Sequence, residues 1–421
     1  MEIFEIEGGK KLSGTIEVRG SKNAATPILA ACLLTQDLCV IRNVPRIEDV
    51  FRMLEIIKSL GARVTWKEER TLEIQADQLA LGGLDTQAVK RIRSSILLLA
   101  PLAARFKRFS LPEPGGCVIG ARPVDTHLAA FEQLGVTVQV TDDGYSVDAT
   151  KAQAGYVVLR ELSVTATENA LMLAATLPDT TTIKIAACEP HVEDLCRFLV
   201  QMGAQIRGIG THTLTVQGSA TLSGAEHTLI PDHNEAATFL ILGAATGSRI
   251  TVQGARRDHL DLVLEKLQEF GVRFEYGEGD QITVIAPETL HAVQKIEART
   301  YPGLPTDIQA PLGVLATQAE GQTFIFDTLF EGRFSYVAEL EKMGGKATVL
   351  NPHQVIVYGK TALKGTVIKS YDLRAGVALI IAALAARGTT VVEDIYQVDR
   401  GYEALEERLA LLGASIRRID R

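Results

Sequence analysis

In the run Pro112-Glu113-Pro114-Gly115-Gly116-Cys117-Val118-Ile119-Gly120-Ala121-Arg122-Pro123-Val124-Asp125 a thiol and a guanidinium stand five residues apart. A thiol near a cation ionises more easily, and the forked guanidinium suits phosphate or carboxylate. Glycine and proline crowd the stretch. They exclude a regular helix or a central strand and make it a loop whose main chain a ligand can approach closely. Cys117 is therefore a candidate functional thiol with Arg122 as its companion cation; the plainer alternative is a small buried hydrophobe.

Other candidate groups sit where apolar helices begin. Polar clusters recur as Ser21-Lys22-Asn23, Arg93-Ser94-Ser95, Thr165-Ala166-Thr167-Glu168-Asn169, Asp232-His233-Asn234-Glu235, Thr306-Asp307 and Asp372-Leu373-Arg374. Ser21, Ser94, Thr165, Asp232, Thr306 and Asp372 can each be read as caps for free helix amides, worth about 1 kcal/mol apiece. Capping leaves Lys22, Arg93 and Arg374 unexplained, because a cation at the positive end of a helix dipole is unfavourable unless an anion lies close. Arg122, Arg333 and Arg400 add cations in loops, and the six together predict an anionic substrate. Asp307 follows Pro302 and Pro305, a rigid approach suited to a general base, with simple capping as the alternative. A Walker A loop, GxGxxG after a strand, HExxH and GxSxG are all absent, so nothing points to an ATPase, a dinucleotide enzyme, a zinc protease or a serine hydrolase. The scattered histidines offer no metal spacing, and neither metal nor cofactor is expected.

The elements that must position these groups form a repeat. Six times an amphipathic helix runs into a glycine turn and an alternating strand, with Gly61, Gly135, Gly203, Gly271, Gly344 and Gly413 as markers. Their separations of 74, 68, 68, 73 and 69 residues exclude chance similarity. Glycine after the last apolar position is the expected helix cap, turning left-handed into the strand. The helices behind the polar clusters are apolar on nearly every face and must be buried on all sides. The pattern predicts six βαβαββ units in two groups of three, divided near Ile230-Pro231. The early strand Ile-Glu-Val-Arg-Gly lacks a preceding partner and is expected to pair with the C-terminal half. A chain of 421 residues with 46% apolar and 22% charged residues is long enough for two or three globular domains. A net charge of −8 implies no general nucleic-acid affinity. The acidic beginning reads as no signal peptide, no run approaches 18 apolar residues, and the five cysteines form no CxxC pair. A cytoplasmic protein without membrane or nucleic-acid partners is expected.

Seven runs, GSKNAATPILAACLL, RSSILLLAPLAARF, GGCVIGARPVDTH, LPTDIQAP, FEGRF, YDLRA and DRGYE, carry a likeness that spans essentially the whole chain. With them the chain resembles the enolpyruvyl transferases, specifically those acting on UDP-N-acetylglucosamine. The resemblance implies an α/β inside-out barrel fold of two domains, here residues 22–229 and residues 1–21 with 230–421. It implies transfer of the enolpyruvyl group of phosphoenolpyruvate to the 3-hydroxyl of UDP-N-acetylglucosamine with release of phosphate, serving peptidoglycan synthesis. Lys22, Arg122 and Arg400 would hold the phosphoenolpyruvate anion, with Arg93, Arg333 and Arg374 lining the same charged cleft. Asn23, Arg93, Arg122, Pro123, Val124, Asp125, Asp307 and Leu329 would contact the UDP-sugar. Asp307 would act as base, and Cys117 would deliver a proton to C3 of phosphoenolpyruvate from a mobile loop, be able to form a phospholactoyl adduct and be alkylated by fosfomycin. The chain departs from common family residues at Glu161, Thr165, His191, His233-Asn234 and Gln397, around the nucleotide pocket and domain interface. Alternatives are a paralogue using another nucleotide sugar and a silent nucleotide-sugar sensor. The shikimate-pathway sister lacks the cysteine loop, and a sensor should have lost Cys117, Asp307 or Lys22.

Overall fold

A computed structural model describes residues 2–115, 120 and 123–420. They form two compact units: a central one of residues 20–115 and 123–230, and a discontinuous one of residues 2–19, 120 and 231–420. Cys117 and Arg122 lie outside the described residues.

The central unit is built on three buried helical segments, Lys22–Ala31, Leu99–Phe106 and Val164–Ala175. Alanine-rich sequences let them approach closely, and Ala24, Ala25, Ile28 to Ala31, Leu99, Leu102 and Ala170 to Ala175 lie in a single core. The second segment is not one helix as the repeat pattern predicts. A 3₁₀ run over Arg93–Leu98 precedes it, and Pro101, which has no amide hydrogen, follows. Buried Asn169 bridges this irregular junction, donating to Ile96 O and accepting from Ala100 N, both at 3.1 Å. Three sheets cover the helices. Leu38–Arg42 pairs parallel with Glu226–Thr228 and antiparallel with Thr71–Gln75, which also pairs with Arg63–Glu68. Thr180–Lys184 repeats the scheme with Tyr156–Val158, Thr213–Gln217 and Gln205–Arg207. The remaining sheet has three described strands, Arg108–Pro112, Gly144–Asp148 and Thr137–Thr141.

The discontinuous unit has its own core around helices His233–Ala245, Thr306–Gln318 and Leu373–Ala385. His233–Ala245 is buried along its whole length, the outcome required by its all-round apolar sequence. Its sheets follow the same order, but the chain supplies two of their strands from its beginning. Ser13–Glu17 runs parallel to Arg249–Gln253, the pairing expected for the lone early strand. Glu2–Glu7 lies between Thr389–Glu393 and Ser415–Asp420, antiparallel to both. Six amphipathic helices end at the six marker glycines, all with φ between 74° and 112°. This left-handed backbone favours glycine and turns each helix into its strand.

Candidate active site

Three of the six polar clusters cap their helices. Ser21 Oγ accepts from Ala24 N at 3.3 Å, Asp232 from the amides of Asn234 and Glu235, and Asp372 from those of Arg374 and Ala375. The other three do not, which corrects the sequence expectation. Ser94 lies within the 3₁₀ run and its hydroxyl finds no partner among the described residues. Thr165 is already inside its helix and bonds His127 Nε2 at 2.9 Å. Thr306 gives its hydroxyl to Asp327.

In the discontinuous unit the structure gathers Asp307, Arg333 and Arg374. Asp307 sits in the first turn of Thr306–Gln318, its side chain one-fifth exposed. Its Oδ1 accepts from Arg333 Nη2 at 2.7 Å, and its Oδ2 lies 3.0 Å from Arg374 Nη2. Arg374, 3% exposed, is therefore a buried cation at a helix N-terminus, with Tyr402 beneath it. Its Nη1 donates to the Tyr402 hydroxyl at 3.0 Å, and the guanidinium carbon stands 5.6 Å from the ring centroid. Burial opposes the charge on Arg374, but Asp307, Tyr402 and Asp232 outweigh it and raise its pKa above the ordinary arginine value. Among the described residues no acceptor bonds Arg333 Nε or Arg374 Nε, so two buried cationic donors keep capacity for an anion's oxygens.

His233 opens the helix beside this group and meets His259 edge-on, ring centroids 6.2 Å apart. Burial pulls its pKa down and Arg374 adds to that, while Asp232 and Asp307 oppose. The imidazole thus favours its neutral form, which spares Arg374 a like charge. Arg400 is buried at the end of helix Tyr396–Asp399, where it donates to Gln397 at 3.3 Å. Leu329 is half-buried, its amide held by Asp327 Oδ1 at 3.0 Å.

In the central unit Lys22 begins helix Lys22–Ala31, where its Nζ donates to buried Asp49 at 3.0 Å, and half-buried Asn23 follows. Asp49 accounts locally for the cation that capping left unexplained. Arg93, half-buried, is pulled below the ordinary arginine pKa by burial, against the influence of Tyr145 and Glu113. A Cβ on Gly115 would lie 1.7 Å from Lys90 O, so only glycine lets the loop pass so near the segment before Arg93. Pro123 and Asp125 are exposed and Val124 is half-exposed; Asp125 lies 3.5 Å from Arg160. Asp49, Asp327 and Tyr402 escaped the sequence reading. Asp49 and Asp327 look like ordinary polar residues at a helix start and a strand end, and only the proximity of Tyr402 to Arg400 in DRGYE offered a signal. Among the described residues, no group of three or more His, Cys, Asp or Glu could hold a metal ion, and no helix is long and apolar enough to cross a membrane.

The family described as EPSP synthase (3-phosphoshikimate 1-carboxyvinyltransferase) matches residues 6–409. A solved structure titled as the enolpyruvyl transferase NikO from Streptomyces tendae is 28% identical and superposes with a TM-score of 0.89 over 99% of both chains. An EPSP synthase from Acinetobacter baumannii, 19% identical, shares the fold with a TM-score of 0.73 over both full lengths. The chain belongs to the enolpyruvyl transferase family. Within it, the chain is similar to proteins named UDP-N-acetylglucosamine 1-carboxyvinyltransferase. That of Bradyrhizobium diazoefficiens is 42% identical over 99% of this chain and 98% of its own. One from Symbiobacterium thermophilum is 42% identical over 99% of this chain and 95% of its own.

Proposed function

We infer that the protein is an enzyme that transfers the enolpyruvyl group of phosphoenolpyruvate to the 3-hydroxyl of UDP-N-acetylglucosamine and releases phosphate, a step of peptidoglycan synthesis. The observation that carries this reading is full-length likeness at 42% identity to relatives bearing that enzyme's name. Both substrates are anionic, and the buried cations Arg333 and Arg374, with donors to spare, suit them.

In the proposed mechanism Asp307 takes the proton of the 3-hydroxyl while its oxygen attacks C2 of phosphoenolpyruvate. Cys117 gives a proton to C3, and the resulting tetrahedral species loses phosphate and a C3 proton to restore the vinyl group. Protonation at C3 develops positive charge at C2, so fixed charges around the substrates matter as much as the acid and base. The pairing of Asp307 with Arg333 and Arg374 supports the role of base through geometry: two guanidinium groups fix the orientation of its carboxylate. Lys22, Arg93, Arg122, Arg333, Arg374 and Arg400 would bind the phosphoenolpyruvate anion. Asn23, Arg93, Arg122, Pro123, Val124, Asp125, Asp307 and Leu329 would contact the nucleotide sugar. A cytoplasmic setting is supported by Cys32, Cys39 and Cys196, buried thiols that form no disulfide among the described residues. The test is phosphate release from phosphoenolpyruvate with UDP-N-acetylglucosamine and with other UDP-amino sugars. Release with the first is expected, and no release with any acceptor would sink the assignment.

A further inference from the structure

Asp327 ends the strand Gly321–Asp327 and is wholly buried. A buried carboxylate needs donors, and this one has three. Oδ1 accepts from the backbone amides of Leu329 and Phe330, both at 3.0 Å, and Oδ2 accepts from the Thr306 hydroxyl. Its backbone is fixed as well: Asp327 N donates to His353 O at 2.9 Å, and Asp327 O lies 2.7 Å from His353 Nδ1. Thr306 therefore does not cap its own helix. It ties the first residue of Thr306–Gln318 to a strand end, and Asp307 is the next residue. The amides on Oδ1 belong to the loop that carries Leu329 and leads to Arg333, which itself bonds Asp307.

We propose that Asp327 is a positioning residue for the reaction: its two oxygens hold the helix entry bearing Asp307 and the loop bearing Leu329 and Arg333 in one fixed register. The inference rests on the reading of Asp307 as base. Three hydrogen bonds on its two oxygens join the helix entry to the loop, so neither can shift without the other and the clamp is stiff. A base is sensitive to such stiffness, because displacement by about 1 Å can cost on the order of a hundredfold in rate.

The experiment compares Asp307→Asn, Thr306→Val, Asp327→Ala and Asp327→Asn in the full chain, by steady-state phosphate release with each substrate varied and by thermal melting. Thr306→Val keeps the volume and cuts only the tie to the helix. Its kcat is expected to fall by about tenfold or more, while KM for the nucleotide sugar changes little and the melting temperature falls by only a few degrees, since buried Asp327 loses one donor. Asp327→Ala, if it folds, is expected to lose kcat similarly and to raise KM for UDP-N-acetylglucosamine. Asp327→Asn still offers an acceptor to the loop amides and can donate to the Thr306 hydroxyl, and should recover most of both losses. A Thr306→Val enzyme with wild-type kcat beside an inactive Asp307→Asn overturns the positioning role and leaves the base standing. An active Asp307→Asn removes the base assignment and the inference with it.

Discussion

Replacing Tyr402 by phenylalanine removes one oxygen from beneath Arg374 and leaves the ring in place. The Tyr402 hydroxyl accepts from Arg374 Nη1 at 3.0 Å and lies 3.0 Å from the Thr238 hydroxyl. Thr238 keeps its bond to Asn234 O at 2.8 Å, so the cost falls mainly on the arginine. A hydrogen bond to a charged group contributes about 1.5–3 kcal/mol. Asp307, 3.0 Å from Nη2, and the remaining ring face continue to restrain the guanidinium, which places the loss at the lower end. About 1.4 kcal/mol corresponds to a factor of ten in binding. The expected result is a KM for phosphoenolpyruvate raised about tenfold, with the KM for UDP-N-acetylglucosamine nearly unchanged, read by phosphate release with each substrate varied in turn. Because the effect passes through Arg374, Tyr402→Phe should be nearly silent in an Arg374→Met background. An unchanged KM in the single variant, or an equal effect in both backgrounds, refutes the claim that Tyr402 acts by holding Arg374.

Two further outcomes are expected. Cys117→Ser should abolish alkylation by fosfomycin, followed by intact mass, and remove most turnover. The other thiols are poor competitors: burial pushes Cys188 up to about 11 and Cys196 up to about 12, and Cys39, though lowered by its hydrogen bond with Cys32, lies with Cys32 wholly inside the core; alkylation that persists in the variant would place the reactive thiol elsewhere. Glu168 is buried, and its pKa is raised well above the ordinary carboxyl value, first by burial and then by Glu189. The folded state therefore favours its neutral form. Its contribution to stability is complete below about pH 4.5, the ordinary carboxyl value, and is lost as pH rises through the raised folded value. Glu168→Gln should flatten that decline in urea midpoints measured from pH 5 to pH 8; an unchanged pH slope would show that Glu168 does not titrate in this way.

The repeat was legible because helix–glycine–strand punctuation is local: a left-handed turn needs glycine wherever it occurs, and all six markers adopt it. The buried helices were legible for a similar reason, since a sequence like that of His233–Ala245 has no face fit for water. The candidate site was legible as residue types but not as partnerships. Lys22 and Arg374 share the oddity of a cation at a helix start, yet one is paired with Asp49 and the other with Asp307 and Tyr402. Those partners lie 27, 67 and 28 residues away along the chain, where no periodicity connects them. Thr306 shows the same limit. Its sequence context fits a cap, and only the strand ending at Asp327 diverts the hydroxyl. The 3₁₀ run at Arg93–Leu98 was hidden because the compensating side chain, Asn169, belongs to the next repeat.

The placement of Glu2–Glu7 between Thr389–Glu393 and Ser415–Asp420 has a consequence for synthesis on the ribosome. Ile3 pairs with Glu393 and with Ile419, so this strand finds its neighbours only after about 390 further residues have been made. At about 5–20 residues per second, roughly 20–80 s separate its exit from theirs. Throughout that interval Ile3, Phe4 and Ile6, all buried in the finished sheet, are exposed on a strand with both edges open. The central unit has no such wait, because its sheets close within residues 38–228. A nascent chain thus carries a sticky segment until its partner strands are made, and Glu2, Glu5 and Glu7, interspersed with those apolar residues, act as charged gatekeepers for that interval.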